Sequence, residues 1–156
     1  MSKSAASQFA LVLVALVGCD SPLQSALQEI GGAKMSDEEQ IAVVLDDVRR
    51  GAESRRIYKV LAHLSPGYLD AQMRDYQAAR DELQRLFSSY REIRITRVRP
   101  RIIVQGTRAR AIETFGIVAE PVNQEVGLPV SINGQAEVHF EKTNDVWQII
   151  GWKSTR

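Results

Sequence analysis

The hydrophobic period of this chain changes once, near residue 90, and that change limits the folds open to it. Before it, apolar residues recur at helical spacing. Ile41, Val44, Leu45 and Val48 share one face, with Asp46, Asp47, Arg49 and Arg50 elsewhere. Ser36-Asp37-Glu38-Glu39 has the form of a capping box in front of that stripe, and Gly51 reads as its stop. A second helix is expected from the stripe Ile57, Val60, Leu61 and Leu64, ending at Ser65-Pro66-Gly67. A third begins between Asp70 and Asp75 and runs to about Tyr90, on Met73, Tyr76, Ala79, Leu83, Leu86, Phe87 and Tyr90. After residue 90 the period is two. Ile93 and Ile95 alternate with Arg94 and Thr96, and Arg101 to Gln105 form a short run after Pro100. Gly106-Thr107 turns the chain into Arg108 to Val118. A loop from Glu120 to Pro129 leads to Val130–Lys142, and Thr143-Asn144-Asp145 reverses into Val146–Lys153. That last run is apolar on both faces, which predicts a strand inside the sheet. Helices followed by consecutive hairpins define an α+β fold, with three N-terminal helices packed on a curved antiparallel sheet.

Its 156 residues allow one ordinary domain, and 44% hydrophobic with 25% charged residues is a globular composition. The formal net charge of +1 supplies no field of the kind that draws proteins to nucleic acid. The single cysteine excludes an internal disulfide. It lies at the end of a revealing stretch: a polar start with Lys3, an apolar core from Phe9 to Val17, then Gly18 and Cys19. Spanning a bilayer takes about 20 apolar residues, roughly twice this run, so it reads as a signal-peptide core. Leu16-Val17-Gly18-Cys19 resembles the bacterial lipobox. The resemblance implies a signal peptide over residues 1–18, acyl groups on Cys19 and attachment to the bilayer, since two or three chains anchor stably where one does not. Residues 19–35 then form the lipidated cysteine and its tether. Asp20 resembles the mark that keeps enteric lipoproteins in the inner membrane, facing the periplasm.

The order helix, helix, Leu64-Ser65-Pro66-Gly67-Tyr68, helix, then a long meander ending in Asn144-Asp145-Val146-Trp147-Gln148-Ile149 resembles the nuclear transport factor 2-like superfamily, the cystatin-like cone. It covers roughly residues 36 to 153, within a domain placed at 36–156. The resemblance implies a bent sheet around helices, often with a pocket at the open end. It implies no single activity, because isomerases, dehydratases, cyclases and non-catalytic domains share the fold.

The catalytic branches of that superfamily use an aspartate base with a tyrosine donor, or a His–Asp pair, in an apolar pocket. Here Glu113 alternates with Ala109, Ala111, Phe115 and Ile117. It either points into an apolar face, where a carboxylate can act as a base or anchor a ligand, or sits at the rim paired with an arginine. Tyr68 and Tyr76 offer hydroxyls, and Trp147 or Trp152 an aromatic wall. His63 lies between Leu61 and Leu64 on a helix, and His139 beside Glu137 and Glu141 on a polar strand face. Neither has neighbours at metal-ligand spacing, so no metal or other cofactor is expected. Arg91, Arg94, Arg97, Arg99, Arg101, Arg108 and Arg110 form a basic ribbon. It reads as a solvated edge whose charges discourage pairing, or as a surface for anionic headgroups or an acidic partner. No phosphate-binding loop, nucleophile elbow or repeat is present.

These features favour a lipid-anchored envelope protein whose domain binds a small ligand or an envelope protein without catalysis; a homodimer is compatible with them. The alternative is a pocket enzyme of the isomerase or dehydratase kind, with Glu113 as base and Tyr68, Tyr76, His139 and Trp152 around it.

Overall fold

The computed structural model describes residues 34–125 and 127–155. The expected signal peptide, Cys19 and most of the expected tether lie outside the described residues. From residue 35 the chain forms one unit. Ser36 caps α1 (Asp37–Glu53) through the expected box: its Oγ accepts from the Glu39 amide, and Glu39 accepts from the Ser36 amide. Together these bonds satisfy two of the donors a helix start leaves open. Gly51 does not end the helix, which continues to Glu53. It is buried instead, because a Cβ there would stand 3.0 Å from both the Lys59 Cβ and a Val60 methyl of α2 (Ile57–Leu61). The glycine is a contact point between two helices. The helix α2 is shorter than its stripe, since Leu64 leaves it to bridge the sheet at Ile149. Asp75 caps α3 (Tyr76–Ser89) by accepting from the Ala78 amide. Met73 is therefore outside the helix, in a left-handed turn at φ 62° and exposed, contrary to its place in the predicted stripe.

The sheet contains β1 (Tyr90–Arg97), β2 (Arg101–Gln105), β3 (Arg108–Pro121), β4 (Val130–Thr143) and β5 (Val146–Thr155), all paired antiparallel. β1 and β2 do not form a hairpin with each other. β1 pairs with Phe115–Pro121 and β2 with Arg108–Ile112, on the edge of β3 that β4 leaves open. They are two halves of one outer strand, interrupted at Val98-Arg99-Pro100. The proline has no amide hydrogen to continue a ladder. β5 is the last strand of the sheet rather than an interior one. Its apolar residues of both parities have another cause: the register shift opposite His139 and Phe140 pairs Ile149 with Phe140 and Trp152 with Val138, so both line the cavity on the helix side. The outer edge of the strand is covered as well. The segment from His63 to Ala71 runs along that edge: the Ser65 and Leu69 amides donate to the carbonyls of Ile149 and Ile150, the Ala71 amide to that of Trp152, and the Ile149 amide to His63. Gly151 permits this approach, because a Cβ there would collide with the Leu69 carbonyl. An edge covered in this way offers no template for another strand.

The β4–β5 turn uses Asn144 and Asp145 at φ 51° and 61°, the left-handed pair that matches the twist of a two-residue hairpin. The core lies between α1 and the sheet, with Ile41 and Phe140 fully buried and Val44, Leu45, Ala111, Trp147 and Ile149 around them.

A candidate ligand cavity between helices and sheet

Strand alternation decides what faces the helices. From β3 the odd residues Ala109, Ala111, Glu113, Phe115 and Ile117 point inward, and from β4 Ala136, Val138 and Phe140. Near the β4–β5 turn these positions meet α1 and fill the layer. Farther along β3 they do not. There Ala136 opposes Glu113 in the ladder, the helix α3 crosses above with no fully buried residue, and a cavity of about 500 Å³ opens. That volume lies in the usual range for small-molecule sites. Leu45, Val48, Leu64, Leu83, Ile117 and Val138 are among the aliphatic residues of its wall.

The polar groups enter from two sides. On one, the strand β1 ends by pointing Arg97 inward. Its Nη1 donates to Glu113 Oε1 at 2.8 Å and its Nη2 to Asp46 Oδ1 at 3.2 Å. The side chains of Arg97 and Glu113 are only 17% and 18% exposed, so this pair joins β1 to β3 in a partly dry place, and the bond to Asp46 ties α1 to them. Arg49 extends the network, donating to Asp46 and to Glu53, while Glu53 also accepts from the Ile95 amide. The Arg49 hydrogen bond holds the Asp46 carboxyl below its ordinary range against the opposing effect of burial, and the charges of Arg50 and Arg97 add to this. On the other side, Asp70 is buried yet accepts from the Gln72 and Arg74 amides and from Arg74 Nε at 2.7 Å. Burial raises the Asp70 carboxyl, and these donors outweigh it, so the net shift is downward. Tyr68 lies beside them. Burial first, and the Asp70 charge second, push its phenol up to about 12, so it stays a neutral hydroxyl.

Among the sequence-predicted site residues, Tyr68, Glu113 and Trp152 line this one cavity. Tyr76 does not line it; it opens α3 and packs half-buried against the core. His139 is on the opposite sheet face, because it follows the inward-facing Val138, and its Nε2 lies 3.1 Å from Glu137. Trp147 belongs to the packed end, with its indole donating to Asp37 at 3.0 Å. Of the basic ribbon, Arg91, Arg94, Arg99, Arg101, Arg108 and Arg110 are exposed, while Arg97 is the exception that turns inward. Sequence reasoning also missed Asp70 and Arg74, whose pairing depends on the loop between α2 and α3. The parity of β1 held the signal for Arg97, since it follows Ile93 and Ile95 on the inward side. Among the described residues, no group of three or more His, Cys, Asp or Glu is placed to hold a metal ion.

No family model matches the chain, and no curated protein is similar to it. Solved structures are similar. One is Bd1075 of Bdellovibrio bacteriovorus, at 16% identity and TM-score 0.60, over 74% of this chain but 38% of that protein. The present chain thus spans well under half of Bd1075. A nuclear transport factor 2-like protein from Salmonella enterica matches at 14% identity and TM-score 0.64, covering 76% of this chain and 89% of its own. A Novosphingobium aromaticivorans protein provisionally named an aromatic ring hydroxylase matches at 11% identity and TM-score 0.68, covering 79% and 90%. At such identities the likeness establishes the fold alone: three helices on an antiparallel sheet, in the nuclear transport factor 2-like, cystatin-like arrangement.

Proposed function

We propose that this protein binds a small, largely apolar ligand in the cavity without transforming it, and that it works from the bacterial cell envelope, tethered by acyl chains on Cys19. One observation carries the binding reading. The cavity is large and aliphatic, and each acid that lines it is already held in an ion pair: Glu113 by Arg97, Asp70 by Arg74, Glu82 by Arg85. A general base must be free to take a proton from its substrate within about 2.6–3.2 Å. Glu113 spends its carboxylate on joining β1 to β3, and His139 is on the wrong face to relay a proton.

The competing reading, a pocket enzyme with Glu113 as base, draws on the names of proteins that share the fold. They include proteins provisionally named dehydratases from Streptomyces avermitilis and Novosphingobium aromaticivorans and a hexachlorocyclohexane dehydrochlorinase. One pair of measurements separates the two. Nile red, a neutral apolar dye, is expected to bind and fluoresce. Val138→Phe, which fills the cavity, is expected to weaken the dye by about tenfold with circular dichroism unchanged. In parallel, no turnover of enone, ketosteroid or hydroxy-acid substrates is expected. A turnover that disappears in a folded Glu113→Gln variant would replace the binding reading with the enzyme.

The anchor rests on Leu16-Val17-Gly18-Cys19 and on the sequence pattern before it. Mass spectrometry of membrane-extracted protein should find an acylated Cys19 at the mature N-terminus. An unmodified protein starting elsewhere would remove the anchor and leave the cavity argument untouched. Asp20 directs the proposal to the inner membrane; the partner is a small ligand or another envelope protein.

A further inference from the structure

The charge distribution around the cavity decides which class of ligand it takes, if the binding reading above is right. Three arginines line the wall, Arg49, Arg74 and Arg97, against three acids, Asp70, Glu82 and Glu113. Each is engaged: Arg49 with Asp46 and Glu53, Arg74 with Asp70, Arg97 with Glu113 and Asp46, Glu82 with Arg85. Among the described residues, no lining charge is left without an opposite one. An ionised ligand entering this aliphatic space would lose its hydration and find no unmatched counter-charge. To reach Arg97 a carboxylate must first compete with Glu113 and Asp46. To reach Glu113 an ammonium must displace Arg97. A neutral ligand meets neither obstacle. A guanidinium carries five N–H donors, and two of those of Arg97 go to Glu113 and Asp46. The others suit a hydroxyl or carbonyl oxygen.

We infer that the cavity selects uncharged aliphatic molecules bearing one hydrogen-bond acceptor, such as fatty alcohols or esters, and that the Arg97–Glu113 pair is what excludes their ionised counterparts. Arg97 anchors the acceptor oxygen, Glu113 cancels the charge that would otherwise draw in a carboxylate, and Leu45, Val48, Leu83, Ile117 and Val138 receive the hydrocarbon.

Three ten-carbon probes test this by isothermal titration of the protein near neutral pH: decanol, decanoate and decylammonium. Decanol is expected to bind at least about tenfold tighter than either ion. Glu113→Gln preserves shape while removing the charge that cancels Arg97. Decanoate should then gain about tenfold relative to decanol. Asp46→Asn acts on the same guanidinium and should move decanoate in the same direction, which keeps the test alive if one variant fails to fold. Wild-type protein that binds decanoate as tightly as decanol would overturn the inference and leave the binding reading standing. Unchanged selectivity in folded variants would remove the role given to Arg97 and Glu113. If none of the three probes binds a folded protein, the binding reading itself falls.

Discussion

The two ends of the helix–sheet interface are built from the same strands and the same helix, and they behave as opposite materials. At the end nearest the β4–β5 turn, Ile41 of α1, Ala111 of β3 and Phe140 of β4 have no exposed surface. Trp147 closes the layer, and its indole and Lys142 Nζ both bond Asp37, at 3.0 and 2.7 Å, tying the first turn of α1 to the last hairpin. At the other end the wall residues contributed by α1 and β4 are Leu45, Val48, Arg49, Ala52, Ala136 and Val138. There α1 reaches the sheet through the Asp46–Arg97 ion pair and the bond from the Ile95 amide to Glu53. The layers pack near the turn and leave a cavity away from it, as in a wedge. One end supplies stability, and the other supplies space.

The largest effect expected from this contrast is at the closed end. Trp147 is 2% exposed, and truncating a buried aromatic costs about 3–5 kcal/mol. Trp147→Ala should lower stability by that amount in urea unfolding; a loss below about 1 kcal/mol, typical of surface changes, would mean that the closed end is not what holds the fold. Next comes Asp70, the buried acid at the open end. Removing a charged hydrogen-bond acceptor costs about 1.5–3 kcal/mol, so Asp70→Asn should lose that much at neutral pH. The sign with pH follows from its lowered folded value. An acid that ionises more readily when folded stabilises the protein above its ordinary value near 3.8, and the gain disappears as pH falls through the folded value. The gap between wild type and variant should therefore close below about pH 4. A gap that stays constant into acid would show that the loop, not the charge, matters.

Much of the wedge was readable before any coordinates. Periodicity in Ile41–Val48 and in Ala136–Phe140 reports burial, which is a property of each element alone. The capping box and the Asn144-Asp145 turn are equally local. What did not show is what depends on elements far apart in sequence. Gly51 looked like a helix stop because a glycine's conformational freedom is visible in a sequence and a neighbouring helix is not. β5 looked interior because Ile149 and Trp152 stand in opposite parity, and only the register shift against β4 turns both inward. Arg97 was counted with six surface arginines, although the inward parity of Ile93 and Ile95 already pointed to its side. Its partners Asp46 and Glu113 lie 51 and 16 residues away, and no local pattern links them. Glu113 itself illustrates the limit. The sequence allowed it a pocket or an arginine partner, and in the fold it has both.

The smallest expected effect is also the sharpest comparison, because it makes the same substitution at the two ends. Ala111 and Ala136 both point inward from neighbouring strands, at 0% and 5% exposure. Ala111 sits opposite Val138 in the ladder and outside the cavity wall, while Ala136 sits opposite Glu113 and within it. Leucine adds the same atoms at either place. At Ala111 they enter a filled layer, where extra methylenes force displaced rotamers or backbone and cost about 1–3 kcal/mol. At Ala136 they enter open space and bury new apolar surface, so Ala136→Leu should change stability by less than about 1 kcal/mol and lower Nile red affinity. Equal losses at both positions, measured by urea unfolding, would mean that the cavity closes on itself in solution. Equal tolerance would mean that the closed end is looser than its burial indicates. Only a difference between two otherwise matched alanines fits a domain packed at one end and kept open at the other.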